Sequence, residues 1–366
     1  MKDRGMRTLT LLAALGFLAG IARAADPVTV FPGPAQDLAA GLAPVEYRAT
    51  PLKDSAYGEG WFYLARLDDG TFLFCNFFLT NIGFGGMKAS VDVTLNFPDG
   101  TKLIDRGEFA TDGLVVAKNS FQVKIGDSET KGVFPDFTIR LRLPKVTADL
   151  NYHAELPSWM PGSGFVYYGE GQKKFYKYRD VIPRARVTGT LKAAGRDLKV
   201  TGYGYSDHGL TNMYPHQYAA VWYSLRSFDP HWTVQYLEFD APDKYGKKRV
   251  PVLLIGKDGK ILYAGTNYTL AREDVVKDSS GYSYPKKLTF AVDEPGFKAR
   301  GTVKVASLID SIDLLAQLKP FERFVAKMFA KSFIFRQRDQ VEITITTPAG
   351  TETATLPGVN EVLYVR

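Results

Sequence analysis

The chain has 366 residues with 46 Lys and Arg against 39 Asp and Glu, and a net charge of +7 with no clustered basic-aromatic segment does not describe a nucleic-acid binder. Its single cysteine, Cys75, excludes an internal disulfide, so stability has to come from a packed core. The 20 Tyr and 24 Phe are interspersed with 34 Gly and 20 Pro, the pattern of aromatic strands punctuated by turns.

The first residues read as an export signal. Lys2, Arg4 and Arg7 precede an apolar run from Leu9 to Ile21, and Ala22-Arg23-Ala24 sets small residues where a signal peptidase reads them. The run is shorter than the ~20 residues that span a bilayer, so a cleaved signal peptide over residues 1–24 is expected rather than an anchor. Its removal takes away four basic residues and one acidic one and lowers the net charge from +7 to +4. No later stretch reads as a membrane span and no cysteine follows the cleavage site, so the expectation is a soluble, exported protein, periplasmic or secreted. Residues 25–366 exceed the ~250–300 at which a single core stops growing, which predicts two domains.

Residues 25–44, rich in Pro, Gly and Ala, read as an arm or linker. Strands then begin near Tyr57, where GWFYLARL and TFLFCNFFLT flank Asp68-Asp69-Gly70, a hairpin turn of the Asp-Gly kind. Phe72, Phe74, Asn76 and Phe78 share one face of the second strand, and Leu73, Cys75, Phe77 and Leu79 the other. Both faces are apolar, so the strand should be covered on both sides and Cys75 is a buried core thiol. ASVDVTLNF and KLIDRGEF repeat the plan around Pro98-Asp99-Gly100. Period-two alternation continues from Phe121 to Leu156 and turns His153 outward with Asp149, Asn151 and Glu155.

The Pro/Gly-rich passage Pro157–Gln172 reads as a rim loop or an inter-domain surface, and a second meander of hairpins is placed from Ala185 onward. The expected fold is all-β: two consecutive antiparallel β-barrels, over 45–184 and 185–366. Ile309, Ile312, Leu315 and Leu318 recur every third residue, and Phe321, Phe324, Val325 and Phe329 follow Pro320, which predicts a bent or broken helical segment near 308–335. Its basic side, Arg323, Lys327 and Lys331, suits either a solvated barrel cap or transient contact with a membrane surface.

Chemistry-bearing residues gather in Leu198–Phe239. In a regular strand Tyr203, Tyr205 and Asp207 share one face, opposite Gly202, Gly204 and Ser206, and the bare glycine face suits close backbone approach. Alternation separates His208 from Asp207, so a direct Asp-His dyad needs the chain to turn at once. A carboxylate among aromatic side chains has a raised pKa, which makes Asp207 either a general acid or a group that fixes the turn by accepting backbone hydrogen bonds. After the turn, Trp222 and Tyr223 open another strand. Gly204-Tyr205-Ser206 lacks the helix of a nucleophile elbow, His208 and His216 lack metal-ligand spacing, and no glycine-rich loop leads into a helix, so no metal and no cofactor are expected.

ARVTGT…GYGYSDHG followed by a Trp-Tyr strand resembles the second barrel of tandem lipocalins of the AttH-like group, which includes carotenoid 1,2-hydratases and fungal pericyclases. GWFYLARLDDGTFLFCNFFLTN and IDLLAQLKPFERFVAKMFAKSFIFRQRD resemble the survival-factor-one (Svf1-like) branch, and together these stretches cover most of residues 45–345. The resemblance implies two lipocalin-like barrels and a large hydrophobic ligand, a lipid or isoprenoid. Tyr205 and Asp207 match a Tyr-x-Asp that the hydratases use to protonate a carbon–carbon double bond. Tyr176-Lys177-Tyr178 stands where the hydratases carry His-x-Trp, which weakens that activity here. The expected ligand contacts are Tyr176, Tyr178, Tyr203, Tyr205, Asp207, His208, Trp222 and Tyr223, with Asp207 and Tyr205 catalytic if the protein is an enzyme. Three functions stay open: a carrier of a hydrophobic molecule, a hydratase or isomerase, and an envelope scaffold with filled barrels.

Overall fold

The computed structural model describes residues 25–83, 86–111, 114–118, 120–317 and 332–365. The first sheet is built from β1 (Val28–Val30), β2 (Gly58–Leu67), β3 (Phe72–Thr80), β4 (Lys88–Asn96), β5 (Lys102–Phe109), β6 (Leu114–Val116), β7 (Phe121–Ile125), β8 (Ser128–Val133), β9 (Asp136–Arg142), β10 (Val146–Ala154), β11 (Phe165–Tyr168), β12 (Lys174–Ala193) and β13 (Arg196–Thr211). Its order is β5-β4-β3-β2-β13-β12-β10-β9-β8-β7-β6, with β11 on β12 and β1 on β11. The second sheet contains β14 (Val221–Phe228), β15 (Trp232–Asp240), β16 (Arg249–Lys257), β17 (Lys260–Gly265), β18 (Thr269–Lys277), β19 (Ser283–Glu294), β20 (Phe297–Asp313), β21 (Ser332–Thr347) and β22 (Gly350–Val365), in the order β17-β16-β15-β14-β22-β21-β20-β19-β18. All paired strands are antiparallel, and the fold is the expected tandem of lipocalin-like barrels.

Turn chemistry explains the hairpins. Gly70, Gly100 and Gly259 close β2–β3, β4–β5 and β16–β17 at φ of +91°, +85° and +77°, a region that residues with a Cβ avoid. Alternation explains the cores. Trp61, Tyr63, Leu73, Cys75, Phe77, Val91 and Tyr152 point into the first barrel and fill it, while Leu225, Val234, Leu253, Val303 and Val341 fill one end of the second. The opposite face of β3 is covered too: Phe72 and Phe74 pack with Leu64, Tyr205, Phe228 and Val359, so the outer walls of the barrels meet along an apolar seam.

Four expectations need correction. β12 runs unbroken across 184/185, and β13 pairs with β2 from Gly202↔Leu67 to Thr211↔Gly58, so what reads as the start of a second meander closes the first barrel. The change of sheet comes after Thr211, through the short helix α1 (Pro215–Tyr218). Asp207 and His208 lie within a continuous strand, not in a turn. Residues 308–313 and 332–335 are strand as well. Register shifts at Val305/Ser307 and Leu308/Asp310 insert extra residues into β20, so its apolar side chains no longer fall two apart and imitate a helical spacing. Leu314–Gln317 is a single 3₁₀ turn, and residues 318–331, with the basic face of Arg323, Lys327 and Lys331, lie outside the described residues. The arm is no free linker either, since Val28–Val30 pairs with Phe165–Tyr168 in the passage read as a rim loop.

Candidate ligand-binding site between the two barrels

The central strand of the site is β13, held between β12 and β2. Register sets Asp207 beside Asp180 on β12 and Phe62 on β2, and His208 beside Arg179 and Trp61. The two neighbours therefore leave opposite faces of the sheet. The glycines earlier in β13 are needed where they stand: a Cβ on Gly204 would overlap the Tyr152 ring and one on Gly202 the Arg66 backbone.

Tyr205 and Asp207 face the seam. The Tyr205 hydroxyl donates to Asp207 Oδ2 at 2.9 Å, and the Tyr178 hydroxyl lies 3.1 Å from that of Tyr205. From the second barrel Arg226 donates to Asp207 Oδ2 at 3.2 Å and to Glu361 Oε2 at 2.9 Å, with its guanidinium 4.6 Å from the centre of the Tyr205 ring. Glu361 also accepts from Arg336 Nε at 3.0 Å, and Arg336 reaches Asp310 at 3.4 Å. Asp180 accepts from Gln235 Nε2. Asp310 in turn accepts from Asn96 Nδ2 of the first barrel at 3.1 Å, so the polar chain that starts at Asp207 crosses to the second barrel and back. Burial pushes Asp207 up to about 6 against the pull of Arg226 and the Tyr205 hydroxyl. Asp180 goes well above the usual carboxylate range, first through burial and then through the charge of Asp207.

Asp207, Arg226, Arg336 and Glu361 form one wall of a cavity of about 360 Å³. The rest is mainly apolar: Tyr176, Tyr218, Trp222, Leu237 and Leu363 line it with Phe62 and Phe78. Tyr176 stacks on Tyr218 with centroids 5.1 Å apart and meets Trp222 edge-on at 5.4 Å. Gly60 pairs with Gly209, and these glycines leave bare backbone at the cavity wall. A few convergent polar groups in a mostly apolar cleft are what binding a hydrophobic molecule requires.

Of the residues expected to touch a ligand, Tyr176, Asp207 and Trp222 line this cavity. Tyr205 and Tyr178 stand behind Asp207 in its hydrogen-bond chain. Tyr203 lies apart, with the guanidinium carbons of Arg184 and Arg186 4.8 and 4.5 Å from its ring centre. Tyr223 points into the second barrel beneath Arg272, 4.0 Å from its ring centre. His208 faces the first barrel, where it stacks on Trp61 and bonds Glu59 Oε1 at 2.9 Å. Burial, then the charge of Arg179, pushes it down to about 4, so it is neutral and no dyad partner of Asp207. Arg226, Arg336, Glu361 and Tyr218 escaped the sequence reading. Arg226 shares the alternating face of Trp222 and Ser224, which was a usable signal; Glu361 and Arg336 reach the site only through the β14–β22–β21 pairing.

Two barrels in tandem with a ligand-sized cavity in their seam define a tandem lipocalin-like protein. Residues 53–365 match the model of the Svf1 family, and the chain belongs to that family. It is 28% identical over 223 residues to the ceramide-binding protein svf1 of Emericella nidulans, over 57% of this chain and 58% of that one. With the ceramide-binding protein SVF1 of Debaryomyces hansenii it shares 26% over 257 residues, 67% of this chain and 66% of the other. The matched region thus spans about three fifths to two thirds of the length of these curated relatives. A provisionally named AttH of Nitrosomonas europaea shares the fold with a TM-score of 0.62 and 16% identity, over 91% of this chain and 98% of its own.

Proposed function

We propose that the protein binds or carries a hydrophobic, lipid-like molecule, a ceramide-type lipid or an isoprenoid, in the seam between its barrels. The observation that carries this reading is the cavity of about 360 Å³, apolar on most sides and closed by the Asp207–Arg226–Glu361–Arg336 wall. That wall pairs two acids with two bases, which suits a neutral head with hydroxyl or amide groups over a phosphate. The names of the ceramide-binding relatives support a lipid ligand. At ~30 Å³ per water-sized group the cavity holds roughly a dozen such groups, so a two-chain lipid would extend out of it. Solvent extraction and native mass spectrometry of the purified protein should recover a lipid, and Leu363→Trp, which fills the cavity, should lower its occupancy at least tenfold. An extract without apolar ligand, together with no uptake of fluorescent ceramide or fatty acid, overturns the proposal.

A second reading is a hydratase or isomerase of an isoprenoid or polyene. It is favoured by one observation, a carboxyl group at the cavity wall whose pKa is pushed up to about 6 by burial. Asp207 would protonate a double bond and recover its proton from the water that adds. Asp207→Asn should then abolish turnover and leave binding intact; equal turnover excludes the reading. The signal over residues 1–24 supports export, and mature protein in the exported fraction should begin at Ala25.

A further inference from the structure

The interior of the second barrel holds polar groups that the seam does not use. Tyr236, Asn360 and Gln337 lie in one row across β15, β22 and β21, with Leu225 between the first two; the next row toward the apolar end brings Gly358 and Asp339 together. In the first row the Tyr236 hydroxyl donates to Asn360 Oδ1 at 3.1 Å, and Asn360 Nδ2 donates to Gln337 Oε1 at 2.8 Å. Gln337 Nε2 has no acceptor among the described residues. In the second row Asp339 is 3% exposed, and neither of its carboxylate oxygens has a donor among the described residues.

Other buried carboxylates of this barrel are answered. Glu238 accepts from Arg249 at 2.5 Å and Arg272 at 2.6 Å, and Glu361 from Arg226 and Arg336. The arginines flanking Asp339 leave the opposite face of β21: Arg336 lies over Phe74 and Arg338 over Phe72 of the first barrel. A buried carboxylate with neither counter-charge nor donor is costly to maintain. At the other end of the barrel Tyr282, Phe333 and Tyr364 pack with centroids 4.8 to 5.1 Å apart and remain partly exposed. Below them Tyr223 already holds a cation, Arg272, on its ring face. Aromatic faces of this kind attract organic cations.

We propose that the interior of the second barrel is a separate site for a primary alkylammonium, whose N–H groups bond Asp339 and whose chain packs among the aromatic and aliphatic side chains of the barrel. The ligand brings the charge and the donors that Asp339 lacks. Leu225 and Asn360 face this interior while Arg226 and Glu361, their chain neighbours, face the seam, so the two sites share walls and no lining side chain.

The probe is n-octylammonium, with n-octanol and octanoate as chain-matched controls, titrated calorimetrically into the full chain. Wild type should bind the ammonium at least tenfold tighter than either control. Asp339→Asn, which keeps shape and neutralises the site, should remove that preference, and Leu363→Trp in the seam should leave it intact. Burial pushes Asp339 well above the usual carboxylate range, so wild type should also release a proton on binding, read by comparing buffers of different ionisation enthalpy. This second measurement needs no variant to fold. Equal binding of the three probes, unchanged preference in Asp339→Asn, loss of ammonium binding in Leu363→Trp, or binding without proton release each overturns the proposal. A lipid-free seam would leave it standing.

Discussion

The two faces of Arg196–Thr211 both hold acidic and basic groups, fully buried on one side and partly open on the other, and put them to different uses. Toward the first barrel, His208 bonds Glu59, whose carboxylate also accepts from the Tyr57 hydroxyl at 2.6 Å and from the Thr50 amide at 2.8 and 3.0 Å. Those partners all belong to the first barrel's residues, and Glu59 and His208 touch no solvent. Toward the seam, Asp207 shares Arg226 with Glu361 of the other barrel and keeps a side on the cavity. A buried charge saturated within its own sheet holds a fold together. One partnered across a joint and open to a cavity can meet a ligand.

The largest effect that would break this comparison comes from Glu59→Leu. The change strands neutral His208, the Tyr57 hydroxyl and the Thr50 amide at once, and each buried donor left without an acceptor costs about 1–3 kcal/mol. Urea unfolding should show that loss, with ligand uptake by the folded fraction unchanged. Wild-type stability in Glu59→Leu would show that the inner face is no structural anchor.

A somewhat smaller effect lies in pH. His208 drops to about 4 from its usual 6.5, so its neutral form stabilises the fold above pH 6.5, and this is lost as pH falls toward 4. Asp207 rises to about 6 from 3.8, so its contribution is complete below pH 3.8 and is lost as pH rises through 6. Each shift corresponds to about 3 kcal/mol and the signs oppose, so between pH 4 and 6 the two nearly cancel. Each single replacement should expose the other group. Asp207→Asn should gain stability from pH 4 to 6.5 relative to wild type, and His208→Gln should lose it from pH 4 to 6. Parallel pH profiles in all three proteins would show that the two faces are not distinct.

Much of this arrangement was legible in the sequence because it depends on period two alone. The apolar rows Phe72/Phe74 and Leu73/Cys75/Phe77 announced a strand covered on both faces, and those faces are the seam and the first core. The same rule parted Asp207 from His208. What stayed hidden depends on pairing at long range. Glu361 and Arg336 meet Arg226 because β22 lies between β14 and β21, a neighbour relation that local pattern does not encode. β12 and β13 look like a fresh hairpin, and only their partners β10 and β2 show that they close the first barrel. The bulges of β20 disguised a strand as a helix by breaking the period that reveals strands. Tyr203 has the alternation of Tyr205 and Asp207 but sits lower along the seam, among arginines and clear of the cavity.

The smallest effect sharpens the comparison on the seam side. Tyr205→Phe removes one hydroxyl, the donor to Asp207 and the partner of Tyr178, and leaves the ring under Arg226 in place. Losing a buried hydrogen bond of this kind costs about 1 kcal/mol. Because the hydroxyl stabilises the charged form of Asp207, its loss should raise the carboxyl further above 6, visible as an upward shift of the Asp207 side-chain carbon titration by NMR. His208 should titrate as before, since its contacts lie on the opposite face. A shift of His208 together with Asp207 would mean that the strand moves as a whole, and the inner and outer faces would then be one coupled unit instead of two.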